Sequence, residues 1–150
     1  MRGKFFEDFA VGDTYQSVWK TVTPSHVHRF VDLIGLAEPL FESASHLASD
    51  LGHDRWMAPG ILTLSLSVGL FSRSGWIEGT AVAMLGIETL SWEAPVLAGN
   101  EIRIQVECVD TTATGAEEAG VVTLDWTTEN RDGETVLSMR TTHYMKKRSA

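Results

Sequence analysis

Apolar residues are unevenly spaced along the chain, and the spacing changes character near its middle. In "TPSHVHRFVDLIG" (23–35), Val27, Phe30, Val31 and Ile34 stand at i, i+3, i+4 and i+7. That period predicts a helix with one apolar stripe. Thr23 suits its N-cap, Pro24 its first turn and Gly35 its C-terminal stop. Upstream, "YQSVWKTV" (15–22) mixes aromatic and β-branched residues as a strand does. Downstream, residues 36–58 form a long connection, of a length uncommon unless functional. The second half alternates. Ile102, Ile104, Val106 and Cys108 take every other position in "EIRIQVECVD" (101–110), as do Val122, Leu124 and Trp126 in "GVVTLDWTTEN" (120–130). Residues 80–95 predict one strand or two, and "ETVLSMRTTHYM" (134–145) another. Asp132-Gly133 is a hairpin signal between the last two, and "TTATGAEEAG" (111–120) reads as a turn.

One segment resists local reading. In "PGILTLSLSVGLFSRSG" (59–75), Leu62, Leu64, Leu66, Val68 and Leu70 alternate with small residues, a strand pattern. Ile61 and Phe71 break that alternation, and the run is long for a strand. A buried helix can also be apolar nearly all round. An early helix, a long apolar segment and a run of antiparallel strands predict an α+β fold. No repeat or linker divides residues 1–150, so a single domain is expected.

Composition narrows the function classes. A formal charge of -8 argues against a general nucleic-acid or anionic-membrane binder. The local exception, Lys146 to Arg148, is a solubilising tail or an anchor for a phosphate-bearing ligand. Cys108 is the only cysteine, so no internal disulfide forms and a reducing cytoplasm fits. Neither a signal peptide nor a membrane span is expected. Asp50, His53 and Asp54 do not complete a metal-ligand set, so no metal or cofactor is expected.

Four pieces in order resemble the MaoC-like dehydratase family: "FEDFAVGD", "TVTPSHVHRFVDLIG", "MAPGILTLSLSVGLF" and "WEAPVLAGNEIRIQVEC". The first and third are most similar to the mesaconyl-CoA hydratase branch. The resemblance implies a single hot-dog domain, a curved antiparallel sheet wrapped around a central helix at about 60–74. It therefore favours the helix over the strand for the ambiguous segment. It also implies a dimer, with an acyl thioester held at the subunit interface.

Hydrating a 2-enoyl thioester needs a group that exchanges the proton at C2, a polar group that activates water for C3, and donors for the enolate oxygen. The resemblance implies an Asp and a His for the first two, in a G-D-x-N-P-[LI]-H stretch. Aligned through Gly35 and Pro39, that stretch becomes "GLAEPLF" here. Leu36 takes the place of the Asp, Glu38 that of the Asn and Phe41 that of the His, so the usual dyad is absent in this register. The family's His-Gly pair becomes Pro59-Gly60. The Gly60 backbone amide is then the oxyanion candidate, and Ser65 falls on a serine that some members use. Leu36, Glu38, Phe41 and Pro59 are expected to line the substrate site. Glu42 and His46, four apart, are the right residue types for a relocated acid–base pair, or simply a solvated helix face.

Three functions follow as expectations. The chain is an enoyl-CoA hydratase or dehydratase acting on a short or branched acyl thioester, carried by CoA or a carrier protein. Alternatively it is a non-catalytic hot-dog subunit that binds acyl thioesters or pairs with an active homologue in a heteromer. The third is an acyl-CoA thioesterase using Glu38 or Glu42.

Overall fold

The computed structural model describes residues 2–38, 41 and 55–148. Four strands of twelve residues form most of the fold: β3 (Ala81–Trp92), β4 (Glu101–Thr112), β5 (Ala119–Asn130) and β6 (Thr135–Lys146). Two short strands, β1 (Thr14–Gln16) and β2 (Lys20–Thr21), pair antiparallel with successive parts of β4. The six-stranded sheet runs β1-β4-β5-β6-β3, with β2 beside β4. Every pairing is antiparallel.

The alternation read in β4 and β5 is the burial pattern itself. Ile102, Ile104, Val106 and Cys108 are buried, as are Val122, Leu124 and Trp126. They share one core with α2, the helix Gly60–Ser72. Residues 59–75 are thus resolved as the central helix, two residues shorter than expected. Leu62, Thr63, Ser67, Leu70 and Phe71 are its buried positions. Ser67 Oγ caps the Thr63 carbonyl at 2.8 Å and meets Thr128 Oγ1 of β5 at 2.8 Å. A small hydroxyl there lets helix and sheet approach while leaving no buried polar atom unpaired.

Helix α1 (Pro24–Ile34) begins and ends where its sequence signals stand. Thr23 Oγ1 accepts from the His26 amide at 3.1 Å, and His26 Nδ1 accepts from the Thr23 amide at 3.1 Å. Gly35 closes the helix in the left-handed region, at φ 67°, which favours glycine. The apolar stripe is only partly used: Val27 is buried, Phe30 and Val31 are half-buried against the core, and Ile34 is exposed.

Residues 15–22 are not one continuous strand. Ser17 accepts from the Ile104 amide through its side chain while its own amide donates to the Ile104 carbonyl. The side chain thus takes over a ladder bond, and the strand divides into β1 and β2. Residues 80–95 hold one strand rather than two, although its pairing with β6 shifts register three times.

The C-terminal cations are engaged with neighbouring groups, while Lys146 and Arg148 stay exposed. Lys146 donates to the Gly79 carbonyl, and Lys147 to those of Thr114 and Ala116. Arg148 pairs with Asp8, and its amide donates to Glu7 Oε2. These contacts bind the end of β6 to its neighbours. Arg148 also holds the Glu7 and Asp8 carboxyls below their usual range, with backbone amide donors the leading cause in each.

Candidate active site

The N-terminal end of α2 differs from most helix starts. Pro59 is its N-cap rather than its first turn, lies buried, and has no side-chain donor or acceptor to offer. Its carbonyl accepts from the amides of Leu62 and Thr63. Among the described residues, no group accepts from the amides of Gly60 and Ile61. Free first-turn amides carry the positive end of the helix dipole and favour a developing negative charge.

Gly60 lies on a cavity of about 310 Å³, whose other walls include Phe41, Met57, Thr63, Trp92 and Val96. The cavity is mostly apolar, with Glu93 as its one charged lining residue among the described residues. Glu93 Oε1 accepts from Ser138 Oγ at 3.1 Å. The segment entering α2 is tied down by sheet-like bonds: Ala58 donates to the Val96 carbonyl, and Ala98 to that of Trp56. Trp92, at the end of β3, donates its indole N–H to the Gly60 carbonyl at 2.8 Å.

A second groove, of about 470 Å³, adjoins the same phenyl ring. His28, Val31, Asp32, Leu36, Phe41 and Trp56 line it. Leu36 and Phe41 are thus brought to one groove, both half-buried. The His28 ring stands edge-on to Trp56, with centroids 4.5 Å apart.

The other expected site residues divide. Glu38 is exposed, and its carbonyl accepts from the Phe41 amide at 2.9 Å, so it lies at a turn. It lines neither cavity. Ser65 donates to the Ile61 carbonyl at 2.9 Å and borders a different cleft, with Val18, Trp19 and Leu66. Glu42 and His46 lie outside the described residues, as do Asp50, His53 and Asp54. Among the described residues, no group of three or more His, Cys, Asp or Glu could hold a metal ion. Cys108 is buried, and desolvation raises its thiol pKa further from reactivity.

Two groups come together only in the folded chain. No local pattern pairs Trp92 with Gly60, 32 positions away in the chain. His28 is exposed on α1, and its groove forms only when Trp56 packs back onto that helix. Four of the tryptophans take different places. Trp76 is core, Trp19 lies between the Arg103 and Arg131 guanidiniums, and only Trp56 and Trp92 border the two cavities.

Comparison with known proteins agrees with this architecture. Residues 8–130 match the family described as MaoC like domain. The solved structure of a monoamine oxidase regulatory protein from Archaeoglobus fulgius is similar over 99% of this chain and 97% of its own, at 24% identity and TM-score 0.89. A MaoC-like dehydratase from Rhodospirillum rubrum is similar over 99% and 100%, at 24% identity and TM-score 0.85. An (R)-hydratase from A. caviae involved in PHA biosynthesis is similar over 91% and 97%, at 22% identity and TM-score 0.74. Among these similar structures, one from Mycobacterium tuberculosis is described as a double hotdog fold. A search of curated proteins found no match. The chain is a single hot-dog domain, and it belongs to the MaoC-like domain family.

Proposed function

We propose that this protein is a hydratase or dehydratase of the enoyl-thioester type, acting on a short or branched acyl group carried by CoA or a carrier protein. One observation carries the proposal: two amides without acceptors among the described residues, at the start of the buried central helix, beside an apolar cavity. Family membership supports the same class of reaction, and an (R)-hydratase is among the similar structures.

In this reading the acyl chain occupies the cavity of Met57, Thr63, Trp92 and Val96. The thioester oxygen faces the amides of Gly60 and Ile61. As water adds at C3, charge develops on that oxygen, and fixed amide dipoles in an apolar surround stabilise it. Glu42 and His46 are the proposed acid–base pair, one delivering the proton to C2 and the other activating water. They follow Phe41 closely in the chain, and Phe41 borders the cavity. Leu36 and Phe41 supply apolar walls where proton transfer has moved away. Glu42→Gln and His46→Ala are expected to lower turnover at least about 10²-fold while acyl-thioester affinity is kept. Unchanged turnover in both would remove the pair.

The expected partner is a second copy. Edge strand β3 presents Val82, Met84, Leu85 and Ile87 to solvent, and ends at Trp92 beside the cavity. A long apolar edge is a template for pairing. Placing a charge at Leu85 is expected to lower the solution mass to one chain, as read by light scattering.

The apolar filling of the groove by Leu36 and Phe41 favours one other reading, a subunit that binds acyl thioesters without converting them. It predicts acyl-CoA binding with no turnover, and turnover only with an active homologue present.

A further inference from the structure

Gly60 is the first residue of α2, and its backbone does not occupy the left-handed region that would call for glycine. The reason for a glycine here is room. A Cβ at this position would stand 2.7 Å from Trp92 Nε1 and 2.9 Å from its Cε2, closer than such atoms approach. The indole lies against the helix start where a side chain would otherwise be, and its N–H donates to the Gly60 carbonyl at 2.8 Å.

That carbonyl belongs to the same peptide group as the Ile61 amide, one of the two amides without an acceptor among the described residues. A hydrogen bond to a peptide oxygen polarises the peptide and strengthens its N–H as a donor. The bond also fixes the plane of the peptide, and so the direction of the amide. Trp92 remains 44% exposed, and it lines the cavity together with Met57 and Val96. One side chain therefore touches both the oxyanion candidate and the space for the acyl chain.

We infer that Trp92 is a positioning and specificity-determining residue: its indole N–H orients and polarises the Ile61 amide, while its ring limits the length of acyl chain the cavity admits. This rests on the hydratase reading of the site. The two roles separate by substitution. Trp92→Phe keeps a ring and removes the N–H; Trp92→Leu removes the ring as well. Gly60→Ala displaces the indole from the other side.

The test measures kcat, KM and chain-length preference on 2-enoyl-CoAs of four to ten carbons, for protein whose mass matches wild type by light scattering. Trp92→Phe is expected to lower kcat about tenfold, less than the loss of a whole oxyanion donor, with KM and length preference unchanged. Gly60→Ala is expected to lose as much, and the double variant no more than either, because both break one bond. Trp92→Leu is expected to shift the preference to longer chains as well. Trp92→Met, which also removes the ring, carries the length-preference readout if Trp92→Leu does not fold.

Wild-type kcat in both Trp92→Phe and Gly60→Ala, with length preference unmoved in Trp92→Leu, overturns the inference and leaves the hydratase reading standing. If the wild-type chain converts none of the enoyl-CoAs, the hydratase reading falls and the orienting role with it. The wall role is then decided by the affinities of saturated butyryl- to octanoyl-CoA. Tighter binding of longer chains by Trp92→Leu supports it, and an unchanged order overturns it.

Discussion

The two ends of the central helix are built on opposite principles. Toward its C-terminus, Phe71 meets Trp126 at 4.7 Å, Trp76 at 5.9 Å, Tyr15 at 6.3 Å and His143 at 6.4 Å between ring centroids. The polar atoms there are satisfied within the core. Trp126 Nε1 donates to Thr141 Oγ1 at 2.8 Å, and that hydroxyl, whose acceptor side is so engaged, lies 2.7 Å from His143 Nε2. Toward its N-terminus, two amides have no acceptor among the described residues, and apolar residues line an open cavity rather than a packed core. Closed networks and dense packing stabilise a fold. Open donors beside an apolar cavity cost stability and are useful when a ligand supplies the missing partner.

This contrast can be broken or sharpened by substitution. The largest effect is expected from Phe71→Ala at the packed end. It removes a fully buried ring in contact with several others, and about 3–5 kcal/mol of stability should go with it, read by denaturant unfolding. A loss below about 1 kcal/mol would mean that the end is not the packed core described.

The second effect is a pH dependence. Burial lowers the His143 pKa from 6.5 to about 4. As pH falls below 6.5, the unfolded chain takes up a proton that the folded chain refuses. Stability is therefore full above about 6.5, declines through the interval, and has lost on the order of 3 kcal/mol near pH 4. The lowered carboxyls of Asp8, Asp13 and Asp125 add to this only below their ordinary value of 3.8. His143→Gln should flatten the stability profile between about pH 4.5 and 6.5, and a profile unchanged by that variant would contradict the account.

Ser67→Ala comes next. It leaves Thr128 Oγ1 short of its partner in the core, for an expected cost of about 1–2 kcal/mol. At the open end, Trp92→Phe should cost at most about 1 kcal/mol, since its bond lies at a half-exposed edge. The order matters more than the values: stability loss concentrated at Phe71 and His143, and catalytic loss concentrated at Gly60 and Trp92.

Much of the fold was legible because its signals are local. Thr23, Pro24 and Gly35 bound α1, and alternate apolar residues mark the buried face of β4 and β5. Residues 59–75 were not settled by periodicity, because polarity does not follow burial there: Thr63 and Ser67 lie on the buried side and Ile61 on the exposed one. Resemblance to a family supplied the missing context. The break at Ser17 was illegible, since it depends on a side chain reaching Ile104 in another strand. The candidate site was legible in part. Gly60 was singled out through its motif position and stands at the start of α2, and the apolar character of Leu36 and Phe41 was plain. Ser65 proved to be occupied with its own helix, and Trp92 came into view only with the chain folded. Spacing cannot show a contact between the end of one strand and the start of a helix that precedes it.

The most direct test of the central claim is a hydration assay on the purified wild-type chain. Short and branched 2-enoyl-CoAs, including crotonyl- and mesaconyl-CoA, are followed through loss of the enoyl absorbance. The account predicts turnover of at least one of them, inhibited by a saturated acyl-CoA of similar length. Acyl-CoA binding with no conversion of any would contradict the hydratase claim and point to a binding subunit.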